Sequence, residues 1–222
     1  MAGFGKYPII WYNSALIMLS ELILALHLMI SQPLGLAAPG AVLAEHSFSL
    51  ENRYDNEFVS GVFKDNILLT LHYLEDPELT KNKISWETVA KPFHTDFSLK
   101  PGEGFAFHEN TLADYSEDVV KTTNAHFIGQ EGFKSDGYLI GDGVCHLASL
   151  MYWVAKDAGL TAYSPSNHNF AEINGVPKEY GVSILSPNPL GNLYIVNSLE
   201  KPVVFSFDFD GENLTVTAIR VQ

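Results

Sequence analysis

The chain's one cysteine, Cys145, lies in the stretch GDGVCHLAS (141–149). Behind it, Val144, Leu147, Leu150, Met151, Val154 and Ala158 recur at three- and four-residue intervals. That spacing predicts a helix with the thiol in its first turn, and Gly159 stands where such a helix stops. Free N–H groups and the positive end of the helix dipole stabilise a thiolate there, which makes a nucleophile. The glycine-rich approach leaves room for a substrate, and backbone N–H groups near Gly143 to Cys145 could hold an oxyanion. A base is supplied by His168 in SPSNHNFAEI, 23 residues further on at the start of a predicted strand. Asp142, Asn169, Glu172 and Asn197 are each available to orient the imidazole, and none is favoured. His146 falls on another helix face, as a structural or substrate-facing residue, and Gly143, Asp142 and Asn169 complete the candidate substrate-binding set. The same residues carry a plainer reading, in which a lone cysteine at the edge of an apolar helix face is a small core residue.

Elements on either side must position these groups. NILLTLHYL (66–74) is a helix or a buried strand, which periodicity does not separate. ISWETVAKPF gives a short helix ended by Pro92, and FSLKPGEGFAFHENT gives a strand on each side of Pro101-Gly102. HFIGQEGFKSDGYLIGDG is glycine-punctuated loop with one short strand. After the cysteine helix the period changes to two, and YGVSILS, NLYIVNSL, VVFSFDF and NLTVTAIRV read as successive strands. Asp210-Gly211-Glu212-Asn213 joins the last two as a hairpin turn, a better account of DFDGEN than a calcium loop. The expected fold class is α+β, with one buried helix led by the cysteine packed on an antiparallel sheet.

Composition bounds the function. Thirteen Lys and Arg against 26 Asp and Glu give a net charge of -13, which repels phosphate backbones and argues against nucleic acid as a partner. A single cysteine leaves no internal disulfide framework and no multi-cysteine zinc site. His108 and His126 fall in no HxH or HExxH spacing, so neither a metal site nor a cofactor is expected. From Pro8 to Ile30 the chain is almost wholly apolar, and those residues would span about 34 Å as a helix, enough for a bilayer core. Lys6 before the run and Arg53 as the next basic residue after it place the remainder outside the cytoplasm. Residues 1–31 therefore read as a transmembrane anchor or a signal segment, cleavable after Val42-Leu43-Ala44, and 32–46 as a Gly, Ala and Pro-rich tether. Residues 47–222 read as the extracytoplasmic domain.

From Asp96 onward the sequence resembles the VanW family of envelope proteins, named for an accessory product of vancomycin-resistance gene clusters. FSLKPGEGFAFHENT, GQEGFKSDGYLIGDGVCHLASLMYWVAKDAGL and NLYIVNSLEKPVVFSF carry the resemblance, over somewhat more than half of the chain. The family pattern places a Gly-x-Gly-Val-Cys segment before an alanine-rich helix ending in Ala-Gly-Leu, then a histidine and further strands. The departures are His146 for a usual Gln, Ala148-Ser149 for a Ser-Thr pair, Asn169 for Ser, and Gly181 where an acid is common. A thiol at a helix N-terminus facing a histidine on a sheet is also the arrangement of papain-like and transglutaminase-like enzymes. The resemblance supports Cys145 and His168 as a functional pair without delivering a reaction; the enzyme expectation is Cys/His-dependent acyl transfer or amide hydrolysis on peptidoglycan or another envelope peptide. The alternative is a non-catalytic envelope-binding or scaffolding module with a structural cysteine.

Overall fold

The computed structural model describes residues 40–222, so the anchor or signal reading of residues 1–31 lies outside the described residues. Strand β1 (Ala41–Ser49) is followed by helix α1 (Glu57–Glu75), the four-residue helix α2 (Trp86–Val89), and strands β2 (Phe93–Leu99), β3 (Gly104–Ala106) and β4 (Val119–Thr122). Helix α3 (Val144–Asp157) comes next, then β5 (Thr161–Tyr163), β6 (Tyr194–Val196), β7 (Val203–Phe209) and β8 (Asn213–Arg220). This is an α+β domain with two four-stranded sheets, ordered β1-β8-β7-β2 and β4-β3-β6-β5. The first is antiparallel throughout, and the second is mixed, since β3 runs parallel to β4 and antiparallel to β6. Among the described residues no helix is long and apolar enough to cross a membrane.

Alternation builds the first sheet. Thr95, Phe97 and Leu99 of β2, Val203, Phe205, Phe207 and Phe209 of β7, and Leu214, Val216 and Ala218 of β8 all point inward. Burying each such phenylalanine contributes roughly 2–3 kcal/mol. Phe97 also joins the sheets: its ring stacks on Phe205 of its own sheet at 5.3 Å and on Phe105 of the other at 4.9 Å. The β7–β8 hairpin turns through Asp210, whose carboxylate accepts the N–H groups of Glu212 at 2.8 Å and Asn213 at 2.7 Å.

The ambiguous NILLTLHYL segment belongs to α1, capped by the Asn56 side chain, which accepts the Val59 N–H at 3.2 Å. Six consecutive residues, Asn66 to Leu71, are buried, so the helix has no polar face in this stretch to display a 3.6-residue period. The Pro101-Gly102 turn separates two strands as expected, yet they enter different sheets: β2 pairs with β7, β3 with β6. Buried Asn197 holds this parting, donating to Leu99 O at 2.8 Å and Lys201 O at 2.9 Å, while its own carbonyl accepts Gly102 N–H.

Three expectations change. The single antiparallel sheet is two sheets, and α3 packs against β1 and β8 of one and β5 of the other. Residues 41–46, read as the end of a tether, are the first part of β1 and pair with β8. A register shift between Val42 and Ala44 breaks the two-residue alternation that would have marked them as a strand. His46 fastens this strand to α3, stacking on Trp153 at 3.5 Å with its Nε2 2.7 Å from Asp157. Finally, YGVSILS forms no strand beyond an isolated bridge between Asn167 and Val182, for a reason that lies in the site itself.

Candidate functional site

Helix α3 begins at Gly143, whose φ of +99° and lack of a side chain let its backbone rest against that of Phe63 in α1. Cys145 is thereby fixed in the first helical turn, as expected, and half-buried. Its sulfur meets the backbone of Ile184: the Ile184 N–H donates to Sγ at 3.3 Å, and the thiol donates to the Ile184 carbonyl at 3.8 Å. One turn on, buried Ser149 donates to the Cys145 carbonyl at 2.7 Å and accepts the Val182 N–H at 2.8 Å.

Residues four apart on a helix are about 6 Å apart along its axis, and residues two apart on an extended segment about 6.6 Å. Cys145 and Ser149 therefore match the alternate N–H groups of Ile184 and Val182. The intervening groups turn the other way, Ser183 N–H to Ser166 O and Gly181 O to His168 N–H. YGVSILS alternates like a strand because it is extended, but one of its edges is paired with helix side chains.

The thiol of this arrangement is poised toward its protonated form. Burial pushes its pKa up to about 11, and the nearby Asp142 carboxylate adds to the rise against the opposing Ile184 contact. Asp142 is itself raised to about 6, by burial and by Asp136; its Oδ2 has no partner among the described residues and its carbonyl accepts from Asn66 at 2.8 Å.

His168 is buried, with Nδ1 3.1 Å from the Ala171 carbonyl, so Nδ1 carries the proton of the neutral ring. Burial lowers its pKa. No hydrogen bond joins it to Cys145; its ring lies edge-on to His146, with centroids 6.1 Å apart. Gly181, where the resemblance leads one to expect an acid, does face the histidine: a Cβ there would be 3.2 Å from His168 Cβ. This chain has no carboxylate at that place.

His146 is 4% exposed, packed edge-on against Phe63 at 5.1 Å, and its Nδ1 has no partner among the described residues. Burial, then the charge of Arg53, drives its pKa down to about 3. Asn169 is exposed. Glu172 lines a cavity of about 250 Å³ with His168 and Gly181, and Asn197 belongs to the junction between the sheets. Buried His108 bonds Gly191 O at 2.9 Å, and His126 lies between Glu131 and Glu109. Sequence reasoning gave Ser149 and Arg53 no place in the site. Ser149 was legible in principle as the residue four after the cysteine on the same helix face.

A family model described as VanW like protein matches residues 88–219, more than half of the chain. No curated protein and no solved structure matches it.

Proposed function

We propose, for a chain that belongs to the VanW-like family, a non-catalytic envelope-binding module in which Cys145 is structural. The observation that carries this reading is the pairing of Cys145 and Ser149 with the Ile184 and Val182 N–H groups. A nucleophile must present a thiolate to a substrate, whereas this sulfur is occupied by backbone and raised in pKa by burial. The cleft walled by His168 and the 171–178 loop is the surface that would hold a ligand. In this reading the apolar run from Pro8 to Ile30 tethers the domain outside the cytoplasm, where wall peptides are the available partners.

A second reading, cysteine-dependent acyl transfer with Cys145 as nucleophile and His168 as base, is favoured by the position of Cys145 in the first turn of α3. Iodoacetamide alkylation of the full chain separates the two, because only one thiol can react. The expected rate at pH 7.5 is about two orders of magnitude below that of a free thiol, rises only toward pH 11, and is unchanged by His168→Ala. A thiol titrating below about 8.5 and displaced by His168→Ala would overturn the binding-module reading.

A further inference from the structure

Arg53 lies before the span matched by the family model, in the loop between β1 and α1. It is 3% exposed, and its Nε and Nη1 have no partner among the described residues. Its one side-chain hydrogen bond is a long one, 3.4 Å to the Asn52 side chain, and its guanidinium lies 4.0 Å over the Phe48 ring. A buried guanidinium ordinarily has a carboxylate beside it, because an unpaired buried charge is costly. Here none of the ion pairs among the described residues involves Arg53. Burial alone lowers the Arg53 pKa, and the Arg53 charge is felt in turn by His146, also buried and also with a nitrogen unpartnered among the described residues.

The Nη2 side of this guanidinium backs onto the cavity already described. Gly175 is the shared wall: it lines the cavity with His168, and a Cβ built on it would point to Phe48 at 3.4 Å and Arg53 Nη2 at 3.9 Å. The loop carrying Gly175 is tied to the loop carrying Arg53 by the Asn174 side chain, which donates to Asn52 O at 3.1 Å.

We propose that Arg53, with His146 and His168 beside it, is an anion site reached through the Gly175 wall, and that its ligand is a single carboxylate such as the free end of a peptide. The planar guanidinium matches a carboxylate in shape and charge. One cation flanked by two neutral imidazoles balances a monoanion, whereas a phosphate dianion would bring a surplus negative charge into a buried site. The proposal deepens the binding-module reading by naming the chemistry its cleft recognises, and rests on that reading for the peptide as occupant.

The test is titration of the full chain with N-acetylglycine, with its primary amide and with methyl phosphate, at constant ionic strength. The carboxylate is expected to saturate one site, with the amide weaker by about tenfold or more. Arg53→Met should weaken the carboxylate by a similar factor while leaving the unliganded protein's Tm at or above its original value, since it removes an unpaired charge. Equal binding of acid and amide, no binding of either, tighter binding of methyl phosphate, or unchanged binding by Arg53→Met would each overturn the proposal. If Arg53→Met does not fold, the acid-to-amide comparison on the unaltered chain decides. Alkylation of the same protein separates the two conclusions. An activated Cys145 removes the non-catalytic reading and leaves the anion site standing, while loss of the acid preference removes the site and leaves that reading standing.

Discussion

Gly143→Ala is expected to destabilise the domain by about 3–5 kcal/mol, a large share of the 5–15 kcal/mol typical of a folded domain. Two costs add. At a φ of +99° an alanine carries a steric penalty of roughly 1–2 kcal/mol. Its Cβ would also sit 2.6 Å from the Phe63 carbonyl oxygen and 2.7 Å from Phe63 Cα. Those are backbone atoms in the middle of α1, so no rotamer change relieves the overlap and the two helices must part. Denaturant unfolding measures the loss, with Gly159→Ala as the reference: φ is +76° there, with open space around the added methyl. The reference should cost no more than about 1–2 kcal/mol. Equal losses at both positions would mean that the close approach of α1 and α3 contributes nothing. Because Gly143 also aims the first turn of α3, its replacement should loosen the Ile184 contact and speed alkylation of Cys145.

Helix α3 was readable from sequence because its large apolar residues Val144, Leu147, Leu150, Met151 and Val154 keep helical spacing, while the equally buried positions between them hold His146, Ala148 and Ser149. Helix α1 was not, because Ile67 to Leu71 are enclosed from every direction and leave no period to detect. Strands β7 and β8 alternate, and Asp210 and Gly211 announce their turn, whereas β1 hides its register behind a bulge. The assignment of β2 and β3 to separate sheets depends on Asn197, whose bonds reach residues nearly a hundred positions away. At the site, sequence located the thiol and the histidine. Which groups each one faces is a property of packing. Cys145 meets a backbone 39 residues distant, and His168 meets His146 through the fold of the 166–184 segment. Arg53 is informative only through the carboxylate it lacks, and a missing neighbour leaves no mark on a sequence.

Below pH 6.5 the burial of His146 opposes folding, and His146→Phe is expected to remove that opposition. With a folded pKa of about 3 against 6.5 in the unfolded chain, the unfolded state binds the proton over this whole interval and the folded state does not. Stability therefore falls as pH drops through 6.5 and continues falling to about 3, with a loss from this group of about 3 kcal/mol by pH 4. His168, also lowered by burial, acts in the same direction. Asp142 acts oppositely, because its raised pKa lets the folded state hold a proton more readily, as do His94 and His126 beside their carboxylates. His72 and His108, lowered by burial as well, add to the fall, so the slope of the unaltered protein sums many groups and the difference between it and His146→Phe isolates the one ring. A phenylalanine keeps the packing against Phe63, so unfolding free energies compared from pH 7 to pH 4 should diverge by about 3 kcal/mol in favour of the variant. Curves that stay parallel would mean that the folded ring accepts its proton at the ordinary pH. Saturating carboxylate supplies the converse: an anion seated between Arg53 and His146 offsets the Arg53 share of the lowering, leaving that due to burial, and the divergence should shrink in part.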